Sequence, residues 1–371
     1  MPWLSGAYGN PSGHHSVAAA ARTALDQARD VLAGALGTVP GDLVVTSGGT
    51  ESDNLAVLGR ALLAPGAVVV GAVEHHAVLN AGRAASQLTG QPLRTVGADR
   101  HGRVDLSELA KALDPTVSLV SVQLVNNELG TVQPFADVAA LVRRRAPRAV
   151  LHTDAVQAAP WFDVAVLAEG ADLVSISAHK FGGPQGAGAL AFRRPVELAP
   201  LLHGGPQERE RRAGTQNVAG AVGMAAALAA VRAAAPREAV RVAALRDRLA
   251  AGLLERVPGS VLTVGPGVPT APGHCHVLIE GVDSEELLFM LDTMGLAASA
   301  GAACASGAME PSHVLRAIGT APEAARGALR LTLGHTSTDE DVEQALEVVP
   351  RAVASLRSVG ASPGPLARRS A

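Results

Sequence analysis

The sequence is poor in aromatic side chains, in cysteine and in net charge. Aromatic residues make up 2% of its 371 residues, so alanine, valine and leucine must fill the core that a hydrophobic content of 48% predicts. Two cysteines far apart argue against a disulfide framework and favour a reducing compartment. A net charge of -3 argues against the basic face that nucleic-acid-binding proteins carry.

A long hydrophobic run is also missing, as is a basic start followed by an apolar stretch. A membrane-spanning helix needs about 18 or more consecutive apolar residues. The alanine-rich stretch at 218–231 is shorter and is better explained as a core helix. The start shows no secretory signal pattern. We therefore expect a cytoplasmic protein with neither a membrane nor a nucleic acid among its partners.

Apolar runs and amphipathic segments alternate along the first part of the chain, which is typical of a parallel sheet covered by helices on both faces. Past residue 216 a long helical region reaches residue 253, and shorter strands follow. The predicted strands are 43–46, 67–73, 118–123, 150–154, 173–177 and 188–192, then 261–264, 276–280, 296–299 and 328–333. The predicted helices of the first part lie near 15–36, 52–63, 77–89, 106–113 and 135–145.

These patterns predict an α/β fold in two domains. We place a large domain at 12–225 and a smaller C-terminal α+β domain at 226–361, to which the N-terminal segment 1–11 belongs. A tail at 362–371, rich in proline, glycine and arginine, should be frayed. Sheets of this kind bind ligands beyond the carboxyl ends of their strands, and nearly all the polar motifs of the chain fall there.

Asp154 ends one predicted strand and Lys180 follows the next, and both suit the anchoring of pyridoxal phosphate (PLP). A lysine amine can hold this cofactor as a Schiff base, and a carboxylate can pair with its protonated pyridine nitrogen. Burial beside a cofactor lowers the pKa of a lysine, which makes it a usable nucleophile and base. An exposed turn lysine is the alternative, and the pairing with Asp154 argues against it.

Two segments offer hydrogen-bond donors for the phosphate of the cofactor. Residues 46–54 follow a strand and open a helix, where glycine permits close approach and backbone N–H groups attract an anion. Gly49 and Thr50 lie at that end. Ser177 and His179, beside the candidate lysine, add a hydroxyl and an imidazole. For the turn alone, an ordinary capped helix start is an equally good explanation.

Polar side chains after other strands suit the cofactor ring and a substrate. His75 can stack on the ring. Asn127 can hydrogen-bond its phenolic oxygen or the carboxylate of a substrate, and Gln157 can also reach the phenolic oxygen. A structural histidine and an ordinary Asn-Gly turn are the alternatives. Arg330, in a strand of the small domain, can bind a carboxylate through two hydrogen bonds of its guanidinium fork. A surface strand residue is the alternative.

Cys304 lies in a segment of small residues, 298–307. Such a segment has no large side chain to fix it to a core, so we expect it to be mobile. An accessible thiol there suits a nucleophile that moves between two positions. Cys275 lies between two histidines in a strand, and neighbouring strand residues point to opposite faces. We interpret Cys275 as structural and predict no metal site.

Taken together, these segments resemble the cysteine desulfurases, the NifS/IscS-like branch of the class V aminotransferases. These are PLP enzymes of fold-type I, the aspartate-aminotransferase kind. No single segment is specific, but the set occurs in family order. The matching segments are 8–12, 46–54, 74–75, 126–130, 152–157, 177–180, 203–205, 213–215, 298–307 and 329–334.

The resemblance implies a mainly parallel seven-stranded sheet between helices in the large domain. Lys180 would carry PLP, and Cys304 would take the sulfur of L-cysteine as a persulfide, leaving L-alanine. Thr215 would reach a phosphate in the partner subunit, which implies a homodimer. The other implied roles are ring stacking and catalysis for His75, pyridine binding for Asp154, ring contacts for Asn127 and Gln157, phosphate binding for Gly49, Thr50, Ser177 and His179, and substrate binding for Asn10, Asn127 and Arg330.

The small-residue segment around Cys304 resembles the subgroup that hands sulfur directly to an acceptor protein. An iron–sulfur scaffold and a tRNA-thiolation protein are both candidate acceptors. Two departures from the family pattern matter. Only residues 1–7 precede Tyr8, where family members carry a longer segment beginning Leu-Asp-Asn-Ala-Ala-Thr-Thr that helps line the substrate pocket. Pro206 stands where a small residue is common.

Three alternatives stay open at this point. A class V aminotransferase would not need Cys304, so that residue discriminates against it. A selenocysteine lyase is not distinguished by the sequence. A truncated, weakly active homologue that acts as a scaffold is supported only by the short N-terminal segment, because every later candidate residue is present.

Overall fold

A computed structural model describes residues 2–301 and 312–360 of the chain, and its backbone contacts form two compact units. The segment that carries Cys304 and the predicted tail lie outside the described residues. The domain limits predicted above stay a prediction. The contact grouping differs from them by changing unit at Pro236 and by placing residues 2–11 in the first unit. The first unit comprises residues up to 99, 103–126 and 132–236; the second comprises 100–102, 127–131 and the described residues from 237 onward.

The first unit is an alternation of helices and strands. Its helices are α1 (Ser16–Leu36), α2 (Gly49–Leu63), α3 (His76–Thr89), α4 (Leu106–Ala112), α5 (Phe135–Arg145) and α6 (Val164–Leu167). Its strands are β1 (Leu43–Thr46), β2 (Ala67–Gly71), β3 (Leu93–Val96), β4 (Val117–Ser121), β5 (Val150–Asp154), β6 (Leu173–Ser177) and β7 (Gly188–Phe192).

The seven strands form one sheet in the order β1-β7-β6-β5-β4-β2-β3. Strands β3, β2, β4, β5 and β6 pair in parallel, and β7 pairs antiparallel with both β6 and β1. The predicted α/β class with a mainly parallel seven-stranded sheet is confirmed. Six of the strands are buried along their whole length, which is why they read as continuous apolar runs in the sequence.

Helix boundaries in this unit follow local chemistry. The ring of His15 accepts a hydrogen bond from the Ala18 N–H and caps the start of α1. Gly37, with φ of 68°, ends the same helix in the left-handed region that glycine tolerates best. Helices α2 and α3 pack their alanine- and valine-rich faces into the core cluster that contains the middle of the sheet. Small side chains thus build the core that the scarcity of aromatic residues required.

Apart from shifts of one or two residues at strand ends, the predicted strands differ from the structure at two places. Strand β3 was not predicted, because its residues are only partly buried and Arg94 breaks the apolar pattern by pairing with Asp114. The strand predicted at 296–299 is wrong. Only Ser299 pairs there, in an isolated antiparallel bridge with Arg330. One ladder partner is too little to make the whole segment a strand.

The second unit holds a small antiparallel sheet in the order β10-β9-β8. Its strands are β8 (Ser260–Leu262), β9 (His274–Ile279) and β10 (Ala328–Thr332). Helices α8 (Ser284–Thr293), α9 (His313–Ala317), α10 (Pro322–Ala325) and α11 (Asp339–Gly360) belong to the same unit. Helix α11 packs on α8.

Helix α7 (Val218–Arg256) passes from the first unit to the second at Pro236. By length and composition it is the one described helix that could cross a membrane, and a core helix passes the same test. Ala221, Met224 and Leu228 of its first half are buried in the protein. The predicted core helix at 218–231 is therefore part of α7.

Candidate active site

The carboxyl ends of β5 and β6 bring Asp154 and Lys180 to the same edge of the sheet. Asp154 is the last residue of β5 and pairs in register with Ser175 of β6. Lys180 follows β6 in a short 3-10 turn, Ala178–Phe181, and its side chain is exposed. Burial raises the pKa of the Asp154 carboxyl group, and the charge of Lys180 opposes part of this rise. The structure thus places the two predicted anchor residues at the same edge of the sheet, near enough for the charge of one to act on the other.

Asp154 is buried, and its charge is incompletely compensated. Burial raises the pKa of this carboxyl group to about 6, against the lowering effects of the Val156 N–H and of Lys180. The Val156 N–H donates to Oδ1 at 2.8 Å. A cation placed against the carboxylate would offset the remaining free-energy cost of burying its charge. The protonated nitrogen of a pyridine ring is such a cation, so Asp154 fits the PLP ring.

Asp154 shares its strand with a member of a buried polar network that the sequence did not predict. The His152 ring is fully buried between the hydroxyl groups of Ser121, 2.8 Å from Nδ1, and Ser175, 2.9 Å from Nε2. Burial lowers the pKa of His152 to about 3, so the ring is neutral. The Asp53 carboxyl oxygen lies 3.6 Å from Nε2. Burial, reinforced by the Asp154 charge, raises the pKa of Asp53 well above its usual value.

A signal for part of this network was present in the sequence. His152 and Asp154 are two residues apart on one strand and therefore share a face of the sheet. Asp53 lies on α2, and no local pattern connects it with β5. Strand alternation could therefore have found the histidine, whereas the aspartate required the packing of the helix on the sheet.

The turn before α2 lies against the end of β6. A Cβ atom added to Gly49 would come within 2.8 Å of a Val156 methyl group and 3.5 Å of Ser177 Cβ. The Ser177 hydroxyl lies 2.8 Å from Nδ1 of His179. The free N–H groups of a 15-residue helix, a hydroxyl and an imidazole thus meet at one place. This set of donors suits a phosphate group. Thr50, also predicted here, is exposed in the first turn of α2.

His75 occupies the N-cap position of α3, just past the end of β2. Its Nδ1 atom accepts a hydrogen bond from the Ala77 N–H at 3.1 Å. An accepting Nδ1 assigns the ring proton of the neutral form to Nε2. Nearby, Asn126 donates to the Val73 carbonyl at 3.0 Å. The side chain of the first asparagine in the Asn-Asn pair therefore binds the backbone, which leaves Asn127 as the ligand candidate.

Lysine is rare enough in this chain to have been a signal in itself. The 371 residues include only two lysines, Lys111 and Lys180, among 31 basic residues. Lys111 lies exposed in the last turn of α4. Arginine supplies almost all the positive charge, and it cannot form a Schiff base with an aldehyde at physiological pH because it stays protonated. Lys180 is thus the only lysine at the carboxyl edge of the sheet.

Asn127 and Arg330 meet in the second unit. Arg330 of β10 donates from Nη1 to the Asn127 carbonyl at 2.9 Å, and its buried Nε has no partner among the described residues. Burial lowers the pKa of the Arg330 guanidinium, and the neighbouring Glu128 carboxylate opposes this shift. A half-buried guanidinium with an unused donor suits a carboxylate ligand.

The other candidates have separate surroundings. Asn10 is exposed and accepts a hydrogen bond from the Ser12 N–H at 3.0 Å. Gln157 is half-buried in the turn after β5, and Thr215 is exposed. Cys275 is buried, which raises the pKa of its thiol to about 12. Cys304 lies outside the described residues, among which no metal-binding group of His, Cys, Asp and Glu is found.

Comparisons with known proteins agree with this geometry. A cysteine desulfurase, IscS, of Methanosarcina thermophila is 39% identical over 97% of this chain and 88% of its own length. A solved NifS-like protein matches 95% of this chain and 94% of its own at 31% identity, with a TM-score of 0.89. A structure described as SspA in complex with cysteine covers 91% of this chain and 94% of its own at 30% identity, with a TM-score of 0.78. The family model for aminotransferase class V matches residues 1–345, and the chain belongs to this family of PLP-dependent enzymes.

Proposed function

We propose that this protein is a PLP-dependent cysteine desulfurase that converts L-cysteine to L-alanine and holds the sulfur on Cys304. The observation that carries the proposal is the pair formed by Lys180 and the buried Asp154, in a chain that is 39% identical to a cysteine desulfurase. The solved relative in complex with cysteine supports the substrate. Bound PLP supplies an electron sink for bonds at the substrate's α and β carbons.

The residues of the first unit bind and orient this cofactor. Lys180 Nζ would hold the cofactor through its aldehyde carbon, and the same amine would carry protons to and from the substrate. Asp154 keeps the proton on the pyridine nitrogen. Thr50, Ser177, His179 and the N–H groups at Gly49 bind the phosphate, His75 covers the ring face, and Gln157 contacts the phenolic oxygen.

The remaining candidates act on the substrate. Arg330 holds the substrate carboxylate with its guanidinium fork, and Asn10 and Asn127 complete the pocket. The Cys304 thiolate attacks the substrate sulfur, so that one S–S bond forms and the C–S bond breaks. The proton count closes because cysteine and the thiol give alanine and an enzyme persulfide. A sulfur-acceptor protein, either an iron–sulfur scaffold or a tRNA-thiolation protein, then takes the outer sulfur.

Two further properties belong to the proposal. The active form is a homodimer in which Thr215 contacts the phosphate of the other subunit. The exposure of Thr215 on the single chain agrees with such a contact. The protein works in the cytoplasm, which agrees with a buried, unpaired Cys275.

The decisive experiment measures alanine and sulfide from L-cysteine, with a thiol reductant, on purified protein that shows the visible absorbance of bound PLP. Equal amounts of both products are expected. A coloured protein that releases neither would contradict the desulfurase and favour an aminotransferase, which amino-group transfer to a keto acid would reveal. Faster turnover of selenocysteine would favour a lyase. A colourless, inactive protein would favour the scaffold.

The variant Cys304→Ala separates the thiol from the cofactor. We expect it to keep the visible absorbance of PLP and to change that absorbance on addition of L-cysteine, yet to release no sulfide, because the attacking sulfur is gone. Cys275→Ala is the matched control and should retain sulfide release, since Cys275 is buried and its thiol stays protonated. Undiminished sulfide release by the Cys304 variant would contradict the proposed role.

A further inference from the structure

The loop that carries Thr215 has an unusual backbone. It contains a short turn at Gln207–Glu210, and three consecutive residues that are not glycine adopt left-handed conformations, with φ of 49°, 55° and 65° at Glu208, Arg209 and Glu210. Such residues persist only when their surroundings fix them. Side-chain contacts that hold this loop should therefore exist, and the structure shows three of them.

Two contacts hold the start of the loop. The buried Glu208 carboxylate accepts hydrogen bonds from the Arg29 side chain of α1 and from the Val45 N–H of β1, the latter at 3.0 Å. Gln207 accepts from the Gly214 N–H at 3.0 Å, which closes the loop on itself one residue before Thr215. The loop is thus fixed to the first unit at one end and folded back at the other.

The third contact joins the loop to the phosphate end of α2. Arg212 donates from Nε to Glu51 Oε1 at 2.8 Å and from Nη2 to Oε2 at 3.4 Å. Glu51 also accepts from the Ser47 N–H at 2.6 Å, so its carboxylate is held by the turn that precedes the helix. Both side chains of the pair are about four-fifths buried, with 22% and 18% of their surface exposed. A forked pair that is mostly buried fixes direction as well as distance.

We infer that Arg212 is a positioning residue that acts across the subunit boundary: its fork to Glu51 sets the place of Thr215, and through Thr215 the affinity of the partner subunit for PLP. The inference rests on the proposed homodimer. Only Ala213 and Gly214 separate Arg212 from Thr215, so the path of the chain at Thr215 follows from where Arg212 is held. Thr215 is exposed, and the described part of its own chain shows no side-chain hydrogen bond for it.

The alternative is an effect within one subunit, because Glu51 follows Thr50 in the same helix turn. Mixed dimers distinguish an effect across the subunit boundary from an effect within one subunit. Each dimer contains one subunit with Lys180→Ala, so only the other subunit gives the visible absorbance of lysine-bound PLP. In the first dimer, Arg212→Met is in the reporting subunit. In the second, Arg212→Met is in the Lys180→Ala subunit. Co-expression with two affinity tags yields each dimer pure.

The dissociation constant of PLP is then measured by titrating each dimer, freed of cofactor, and following the visible absorbance. The inference expects about tenfold weaker binding in the second dimer and wild-type binding in the first, since loss of a charged hydrogen bond changes an equilibrium constant by about this factor. Weaker binding in the first dimer, or in neither, overturns the inference.

Two further variants serve as controls for this experiment. Arg212→Lys keeps the charge and loses the fork, so it should fold even where the methionine variant does not, and it should give a smaller loss in the second dimer only. Arg351→Met removes an exposed ion pair on α11 and should leave both dimers unchanged. A monomeric wild-type protein would overturn the proposed homodimer and this inference together. A dimer with an effect within one subunit would overturn the inference alone.

Discussion

The residues of the two regions that hold the site candidates are brought together by different kinds of contact. In the first unit, backbone ladders of adjacent strands bring Asp154, Ser177 and Lys180 to one edge. In the second unit, Arg330 lies on β10 and reaches residues 127–131, a short piece of chain between β4 and α5, through one side-chain hydrogen bond to the Asn127 carbonyl. The region of Lys180 therefore inherits its geometry from the sheet, whereas the meeting of Arg330 with Asn127 depends on a side-chain contact between distant segments.

The largest effect should come from Lys180→Ala in the cofactor region. We expect complete loss of the visible absorbance of lysine-bound PLP after free cofactor is removed, with little change in the free energy of unfolding, because Lys180 is exposed and the sheet holds its backbone. Absorbance spectra and denaturant unfolding measure the two quantities. Lys111→Ala, the matched control, should retain the absorbance; since the chain has no third lysine, loss in Lys111→Ala alone would reassign the anchor.

Arg330→Lys tests the other side of the comparison. A lysine keeps the charge but cannot form two parallel bonds to a carboxylate, so the KM for L-cysteine should rise about 10- to 100-fold, the equivalent of about 1.5–3 kcal/mol. The visible absorbance of PLP should not change. Steady-state kinetics and a spectrum give both values. A lower affinity for PLP with an unchanged KM would place Arg330 with the cofactor instead.

The same comparison explains how much the sequence could predict. Asp154 and Ser177 end apolar strands, and Lys180 follows the second of them; the bounds of both strands were predicted as the structure has them, because buried parallel strands leave a plain pattern. The contact of Arg330 with Asn127 was not predicted, since no periodicity shows that residues 127–131 leave the first unit. The buried Asp53 was missed for a similar reason: helix packing, and not local sequence, brings it to His152.

Asp154→Asn should sharpen the comparison by separating stability from function. The carboxyl pKa of about 6 in the folded apo-protein lies above its usual 3.8, so the folded state binds the proton more tightly. The free energy of unfolding therefore falls as the pH rises from about 4 to about 6. Above that range the carboxyl group is ionised in both states, and the loss of stability does not grow further. Asparagine carries no charge to bury, so the apo-variant should be more stable than the wild type above pH 6, by about 1–3 kcal/mol. The variant should also bind PLP more weakly.

The measurement for Asp154→Asn is apo-protein unfolding by denaturant over this pH range, with the wild type beside it. The charged and titratable groups around Asp154 are Lys180, Asp53, Glu74 and His152. His152 has the opposite sign, because its depressed pKa makes stability fall as the pH drops below 6.5. The difference between variant and wild type cancels that background. A difference that does not change between pH 4 and 6 would show that Asp154 is already compensated.

The smallest effect should come from Ser312→Ala in the second unit. The Ser312 hydroxyl contacts the buried Glu128 carboxylate and accepts from the Val314 and Leu315 N–H groups at the start of α9. Losing a helix cap and a bond to a charge should lower the free energy of unfolding by about 1–2 kcal/mol. Ser312→Thr keeps the hydroxyl and should restore most of it. Because Ser312 lies in the second unit, away from Asp154 and Lys180 in the chain, the loss should appear in unfolding curves while PLP absorbance stays unchanged. Equal losses of stability in both variants would mean that packing, and not the hydroxyl, holds this region.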